Sequence, residues 1–183
     1  MKNVWRLRFR WKKDDPRVFV PQQFANEANS QAHREQTGRE ILEQAGKPIH
    51  GFCSGIGTGG TITGVGEALR EKNPDILIWA IEPEHAAILS GGTVGTHIQM
   101  GIGDGVIPEI LHQDVYQEIV IVTDEEALRT AKDLAAKEGL MCGITGGTHV
   151  AAALKMAKKA WKREDGSYHS SRYGGTVFFY GTV

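Results

Sequence analysis

The sequence predicts an α/β fold built on a doubly wound parallel sheet, on three observations. Short apolar runs at 49–53, 76–81 and 117–122 alternate with segments of helical periodicity, the pattern of strand–helix–strand crossovers. Ile76 to Ile81 stays apolar throughout instead of alternating with polar residues, as in a parallel strand covered on both faces. Glycine supplies 23 of 183 residues and 40% are hydrophobic, which suits a βα protein with many tight turns and not a disordered chain.

Taken in order, Asn29 to Ala45 is expected as a helix with Ile41 and Leu42 toward the core, closed by Gly46. Ile49 to Cys53 is a short buried strand. A glycine-rich run from Gly55 to Gly64 follows and opens a helix that continues to about Arg70. It stops near Asn73-Pro74, because proline disfavours helical backbone in the residue before it. Ile76 to Ile81 and Gln117 to Val122 are the next two strands. Thr123, with Glu126 three positions on, forms a capping box for the helix Ala127 to Glu138, which Gly139 ends. Thr145 is expected to cap a last helix, Val150 to Lys159.

Composition excludes several classes of function. A net charge of −1 gives no strong pull on nucleic acid or an anionic membrane. No apolar run reaches the roughly 18 residues of a spanning helix, and the N-terminus lacks the apolar core of a secretory signal. Cys53 and Cys142 lie in apolar contexts beside glycine loops and read as free buried thiols of a reducing cytoplasm. His50, His85, His97, His112, His149 and His169 show no metal-ligand spacing, so no metal site is expected. His33 reads as structural.

The most chemically informative stretch is Gly57-Thr58-Gly59-Gly60-Thr61. Strand, glycine-rich turn and helix together aim backbone N–H groups and a helix N-terminus at an anion, most often a phosphate. A Cβ would block close approach of backbone to ligand, and Thr58 and Thr61 add hydroxyl donors. No lysine follows the last glycine, so this is not a Walker A loop. From these residues alone, a phosphate cradle and a merely tight β–α turn both remain open.

Four segments together resemble the cysteine synthase (O-acetylserine sulfhydrylase) family, pyridoxal-phosphate enzymes related to the tryptophan synthase β chain. They are Pro21 to Asn26, Ser54 to Thr61, Gln99 to Pro108 and Gly139 to Gly147. Their order and spacing match the C-terminal half of that family over residues 16–159, while nothing here matches its N-terminal half. The resemblance implies a truncated fold type II pyridoxal-phosphate enzyme. The family reaction is β-replacement of O-acetylserine by sulfide to give cysteine. It further implies that Gly57, Thr58, Gly59, Gly60 and Thr61 hold the phosphate of pyridoxal 5'-phosphate. Thr145 matches the position whose hydroxyl bonds the pyridine nitrogen, where the family more often has serine. A hydroxyl partner does not hold that nitrogen protonated, which suits β-elimination better than transamination. Gln23 and Phe24 match residues near the substrate carboxylate, and Gly101 matches a backbone wall of the pocket. Read without the family, Thr145 could equally be only a helix cap and Gln23 only a loop residue.

In the family, the lysine that forms the Schiff base comes from the half with no counterpart here. Lys72, Lys132 and Lys137 fall on polar helix faces, and Lys158, Lys159 and Lys162 belong to a basic stretch. A catalytic lysine needs partial burial and a lowered pKa, so no catalytic residue is assigned and the isolated chain is expected to be inactive. Sibling activities on the same scaffold, cystathionine β-synthase or serine/threonine dehydratase, stay open. So does a non-catalytic fragment that forms a homodimer or complements an N-terminal half.

Both ends depart from the family. Residues 160–183 do not resemble it, yet codon choices exist that spell LGKGKTVVTILPDTAERYFST one nucleotide further along, with the shape of a family C-terminus. A frame slip after Lys159 is therefore expected, and a second, looser case covers residues 1–15, with Trp5, Arg6, Arg8, Arg10 and Trp11. The slip would cost one buried strand, since the polar run Ser167 to Ser171 cannot replace it. Thr176 to Tyr180 is apolar and β-prone, and is expected to pack opportunistically or to promote aggregation. A marginal, sticky fragment follows.

Overall fold

A computed structural model of the chain describes residues 10–161 and 176–179. Its centre is a four-stranded sheet, with β1 at Ile49–Gly55, β2 at Leu77–Pro83, β3 at Glu118–Val122 and β4 at Thr176–Phe179. The strands run in the order β3-β2-β1-β4, and every pairing is parallel. Gly51 pairs with Leu77 and Gly55 with Ile81, while Trp79 pairs with Glu118.

The helices cover both faces, which is what doubly wound means physically. Along β2, side chains alternate between two cores. Ile78 and Ala80 join Phe52, Ile62, Val65 and Leu69 on one face, and Trp79 and Ile81 join Cys53, Ala127, Ala152 and Met156 on the other. The first face is closed by α1 (Ala28–Ala32), a π turn (His33–Thr37), α2 (Gly38–Ala45) and α3 (Gly60–Lys72). The second is closed by α4 (Asp124–Asp133), continued by a π turn (Leu134–Glu138), and α5 (Ile144–Trp161).

Several local expectations hold for the reasons given. Gly46 takes left-handed backbone, φ 61°, and ends α2. Asn73 ends α3 in extended backbone ahead of Pro74. Thr123 accepts the Glu126 N–H while the Glu126 carboxylate takes the Thr123 N–H, so the capping box is complete.

Four expectations need correction. α5 begins at Ile144, six residues before the expected start, so Thr145 lies in the first turn and does not precede the helix. The Gly143–Gly147 segment looked like loop because glycines carry no periodicity, yet Gly147 packs too close to α4 to admit a Cβ. β3 is a half-covered edge strand, with Ile121 exposed, and not a strand buried on both faces. Cys142 is half-buried, whereas Cys53 is fully buried. The expected lost strand has a substitute: Thr176–Phe179 pairs with β1, Phe52 opposite Phe178 and Cys53 opposite Phe179. The run 162–175 and residues 1–9, on which most of the frame-slip reading falls, lie outside the described residues.

Candidate functional site

The candidate site forms where the C-terminal ends of β1 and β2 meet, the edge of a parallel sheet at which ligands bind. β1 runs out at Gly55, and the chain turns through Gly57 and Thr58 to Gly59. Gly59 has φ 80°, left-handed backbone that an L side chain rarely adopts, and it starts α3. In the first turn of any helix the leading N–H groups have no carbonyl partner within the helix. Here the N–H groups of Thr61 and Ile62 stand at the positive end of the helix dipole, while that of Gly60 is directed at Thr58 Oγ1.

The side chains round the turn are held in place. Asn29, in α1, donates from Nδ2 to the Gln23 carbonyl at 2.8 Å and to Thr58 Oγ1 at 3.0 Å. The Gly60 N–H also points at Thr58 Oγ1, at 3.3 Å. With two bonds accepted, the Thr58 hydroxyl has its own proton to donate elsewhere. Thr61 Oγ1 sits 3.2 Å from His33 Nε2, and His33 Nδ1 is 3.0 Å from Thr37 Oγ1. Partial burial lowers the His33 pKa below its ordinary value.

A second glycine loop lies against the first. The Gly103 N–H donates to the Ile56 carbonyl at 2.9 Å, and a Cβ on Gly57 would stand 2.6 Å from the Gly101 carbonyl oxygen. This loop is anchored by Gln99, fully buried, whose amide donates to the Val122 carbonyl at 3.0 Å and to Asp124 Oδ1 at 2.9 Å. Its Oε1 accepts the Thr148 hydroxyl at 2.8 Å.

His149 joins the third piece. The Gly55 N–H donates to its Nε2 at 2.9 Å, and Nδ1 lies 2.5 Å from the Thr145 carbonyl. A backbone N–H can only donate and a carbonyl can only accept, so His149 is neutral with its proton on Nδ1. Burial lowers its pKa, against the opposing pull of the Thr145 carbonyl. Cys53, whose thiol burial pushes up to about 12, donates to the His149 carbonyl at 3.7 Å.

The residues singled out in the sequence therefore converge by short chains of contact. Gly57 to Thr61 form the turn itself, Gly101 backs onto Gly57, and Thr145 is tied through His149 to the strand that feeds the turn. Gln23, exposed, meets the turn through its backbone and Asn29, and half-buried Phe24 takes the Glu109 N–H on its carbonyl. Three contributors escaped the sequence reading: Asn29, Gln99 and His149. His149 had a legible signal, standing four residues after Thr145 on one helix face. Asn29 had none, because its partner is 29 residues away in the chain, and Gln99 was marked only as the start of the Gln99–Pro108 segment, its partner Thr148 lying 49 residues on.

Every lysine among the described residues is exposed except Lys155, which is half-buried and paired with Glu126 at 2.9 Å. No group of three His, Cys, Asp or Glu among the described residues is placed to hold a metal ion, and no helix among them is long and apolar enough to cross a membrane.

Comparison with known proteins converges on one family. Residues 5–167 match the model of the pyridoxal-phosphate dependent enzymes. A probable cysteine synthase of Bacillus subtilis is 46% identical over 147 residues, 79% of this chain and 47% of that protein. The crystal structure of a cysteine synthase from Entamoeba histolytica superposes with a TM-score of 0.79 at 34% identity, covering 90% of this chain and 48% of that one. An O-acetylserine dependent cystathionine β-synthase from Helicobacter pylori gives a TM-score of 0.76 at 35% identity, over 80% of this chain and 48% of that one. The chain thus spans about half the length of the curated relatives it matches. By its family match, its cysteine synthase relatives and the fold it shares with them, the chain belongs to the pyridoxal-phosphate dependent enzymes, among the cysteine synthases and their kin.

Proposed function

We propose that this chain supplies the phosphate-holding floor and the ring-nitrogen partner of a pyridoxal 5'-phosphate pocket used for β-replacement of O-acetylserine by sulfide to give cysteine. The observation that carries this reading is the turn Gly57 to Thr61. It offers first-turn N–H groups and two placed hydroxyls, on glycines packed too closely against Gly101, Leu111 and Asn29 to admit side chains. Pyridoxal phosphate, when bound, supplies the electron sink that lets a group leave the β-carbon of an amino acid.

The chain's own residues then have separate tasks. Thr58 and Thr61 donate hydroxyl protons to the phosphate, beside the N–H groups of Thr61 and Ile62. Thr145 offers its hydroxyl to the pyridine nitrogen without protonating it, which favours loss of a β-substituent over transamination. Gln23 and Phe24 flank the substrate carboxylate, and Gly101 forms the backbone wall opposite.

Tethering the cofactor requires a buried amine, whereas every described lysine but Lys155 is exposed, and Lys155 is paired with Glu126. Residues 1–183 by themselves are inactive in this reading, and the amine comes from the N-terminal half of the fold. The exposed side chains of Met100, Val106 and Ile107 beside the second glycine loop suit cover by that half. The cystathionine β-synthase likeness rests on the same scaffold and so does not decide the substrate.

The test is complementation. The purified chain, the separately expressed N-terminal half of the Bacillus subtilis relative, and their mixture are assayed with O-acetylserine and sulfide. Cysteine formed only by the mixture supports the reading. Turnover by the chain alone, or silence of a mixture shown to associate and to bind pyridoxal phosphate, counts against it.

A further inference from the structure

We propose that His149 is a positioning residue that sets the distance between the two ends of the cofactor pocket, by bridging the Gly55 N–H and the Thr145 carbonyl through its two ring nitrogens. The proposal rests on the pocket reading above and concerns a residue to which that reading assigns no task.

The geometry is specific. Gly55 is the last residue of β1 and delivers the chain into the Gly57–Thr61 turn, while Thr145 sits in the first turn of α5. One imidazole spans both, at 2.9 Å on Nε2 and 2.5 Å on Nδ1, and the residue is 3% exposed. The ring edge also abuts Gly55 itself. A Cβ there would lie 3.2 Å from His149 Cε1 and 2.8 Å from Ile102 Cγ2, so strand end, imidazole and second glycine loop pack as one block. A pyridine ring is rigid, so a phosphate site and a hydroxyl partner serve the same molecule only at one separation. A rigid ring with one donor and one acceptor fixes that separation. A flexible side chain would lose entropy to do so.

His149 touches neither phosphate nor substrate in this arrangement, and acts through Gly55 and Thr145. The bridge exists only in the neutral Nδ1–H tautomer. The other tautomer would point an N–H at the Gly55 N–H and a lone pair at the Thr145 carbonyl, losing both bonds.

Two measurements decide the matter. Long-range proton–nitrogen NMR of the intact chain reads the tautomer without any cofactor. A protonated Nδ1 and bare Nε2 at neutral pH are expected, and the reverse would overturn the bridge. Equilibrium binding of pyridoxal phosphate and of inorganic phosphate is then compared among the parent, His149→Gln, which keeps an acceptor toward Gly55, and His149→Ala. The expected loss of pyridoxal phosphate affinity is about tenfold for His149→Ala, the worth of about one hydrogen bond, and smaller for His149→Gln. Inorganic phosphate, which needs only one end of the pocket, is expected to change little for either folded variant. Unchanged pyridoxal phosphate affinity in a folded His149→Ala or His149→Gln chain would overturn the proposal. A parent chain that binds neither probe would sink the pocket reading instead, leaving the tautomer to decide the bridge.

Discussion

At the scale of single residues, the histidines tie chemistry to stability. Burial lowers the pKa of both His33 and His149 below the usual histidine value. The unfolded chain therefore takes up protons before the folded one as pH falls. Their contribution is fully present above the ordinary value of about 6.5 and is lost as pH drops through the lowered folded values. Chemical denaturation midpoints are expected to fall from about pH 7.5 to about pH 5.5, a window above most carboxylate titration. His149→Gln is expected to flatten that decline, and an unaltered pH dependence in the variant would count against His149 as a source. Thr145 illustrates how far residue identity goes. The sequence left its hydroxyl between helix cap and cofactor partner, and the backbone decides against the cap by placing it inside the first turn of α5.

At the scale of elements, the approach of α1 and its π turn to α3 builds the site. Gly64 has no room for a Cβ: one would collide with the Ser30 carbonyl and the Arg34 N–H. That closeness brings Asn29 within reach of Thr58 and His33 within reach of Thr61. Gly64→Ala is expected to push the helices apart and to cost about 1–3 kcal/mol, as overpacking does, measured by denaturant titration. It is also expected to weaken phosphate binding, since Asn29 and His33 withdraw with their helix. Equal stability of variant and parent would mean that the helices separate freely. Strand and helix positions were largely legible because β1 and β2 carry mostly buried apolar runs, while Gly46 and the Thr123 capping box punctuate clearly. The N-terminus of α5 was not, because Gly146 and Gly147 are packed against Cys142 and α4 and, with Gly143, give no periodic signal.

At the scale of the whole molecule, two layers of helices and four parallel strands place the Gly57–Thr61 turn at one sheet edge, with the chain covering about half the length of its relatives. The turn and its flanking motifs were legible as a set because each lies within a few contiguous residues. The long-range links through Asn29, Gln99 and His149 were not, since nothing in a linear pattern pairs residues that far apart. β4 also escaped as a sheet member: its apolar run was visible, but only the open flank of β1 gives it a place. Among the described residues every lysine is exposed except Lys155, which is half-buried and paired with Glu126. The most direct measurement is a pyridoxal phosphate titration of the purified chain, with and without inorganic phosphate as competitor, followed by borohydride reduction and intact mass. The predicted result is saturable, phosphate-competed binding that leaves no stoichiometric adduct. A phosphate-competed adduct on one lysine, or no binding at all, would contradict it.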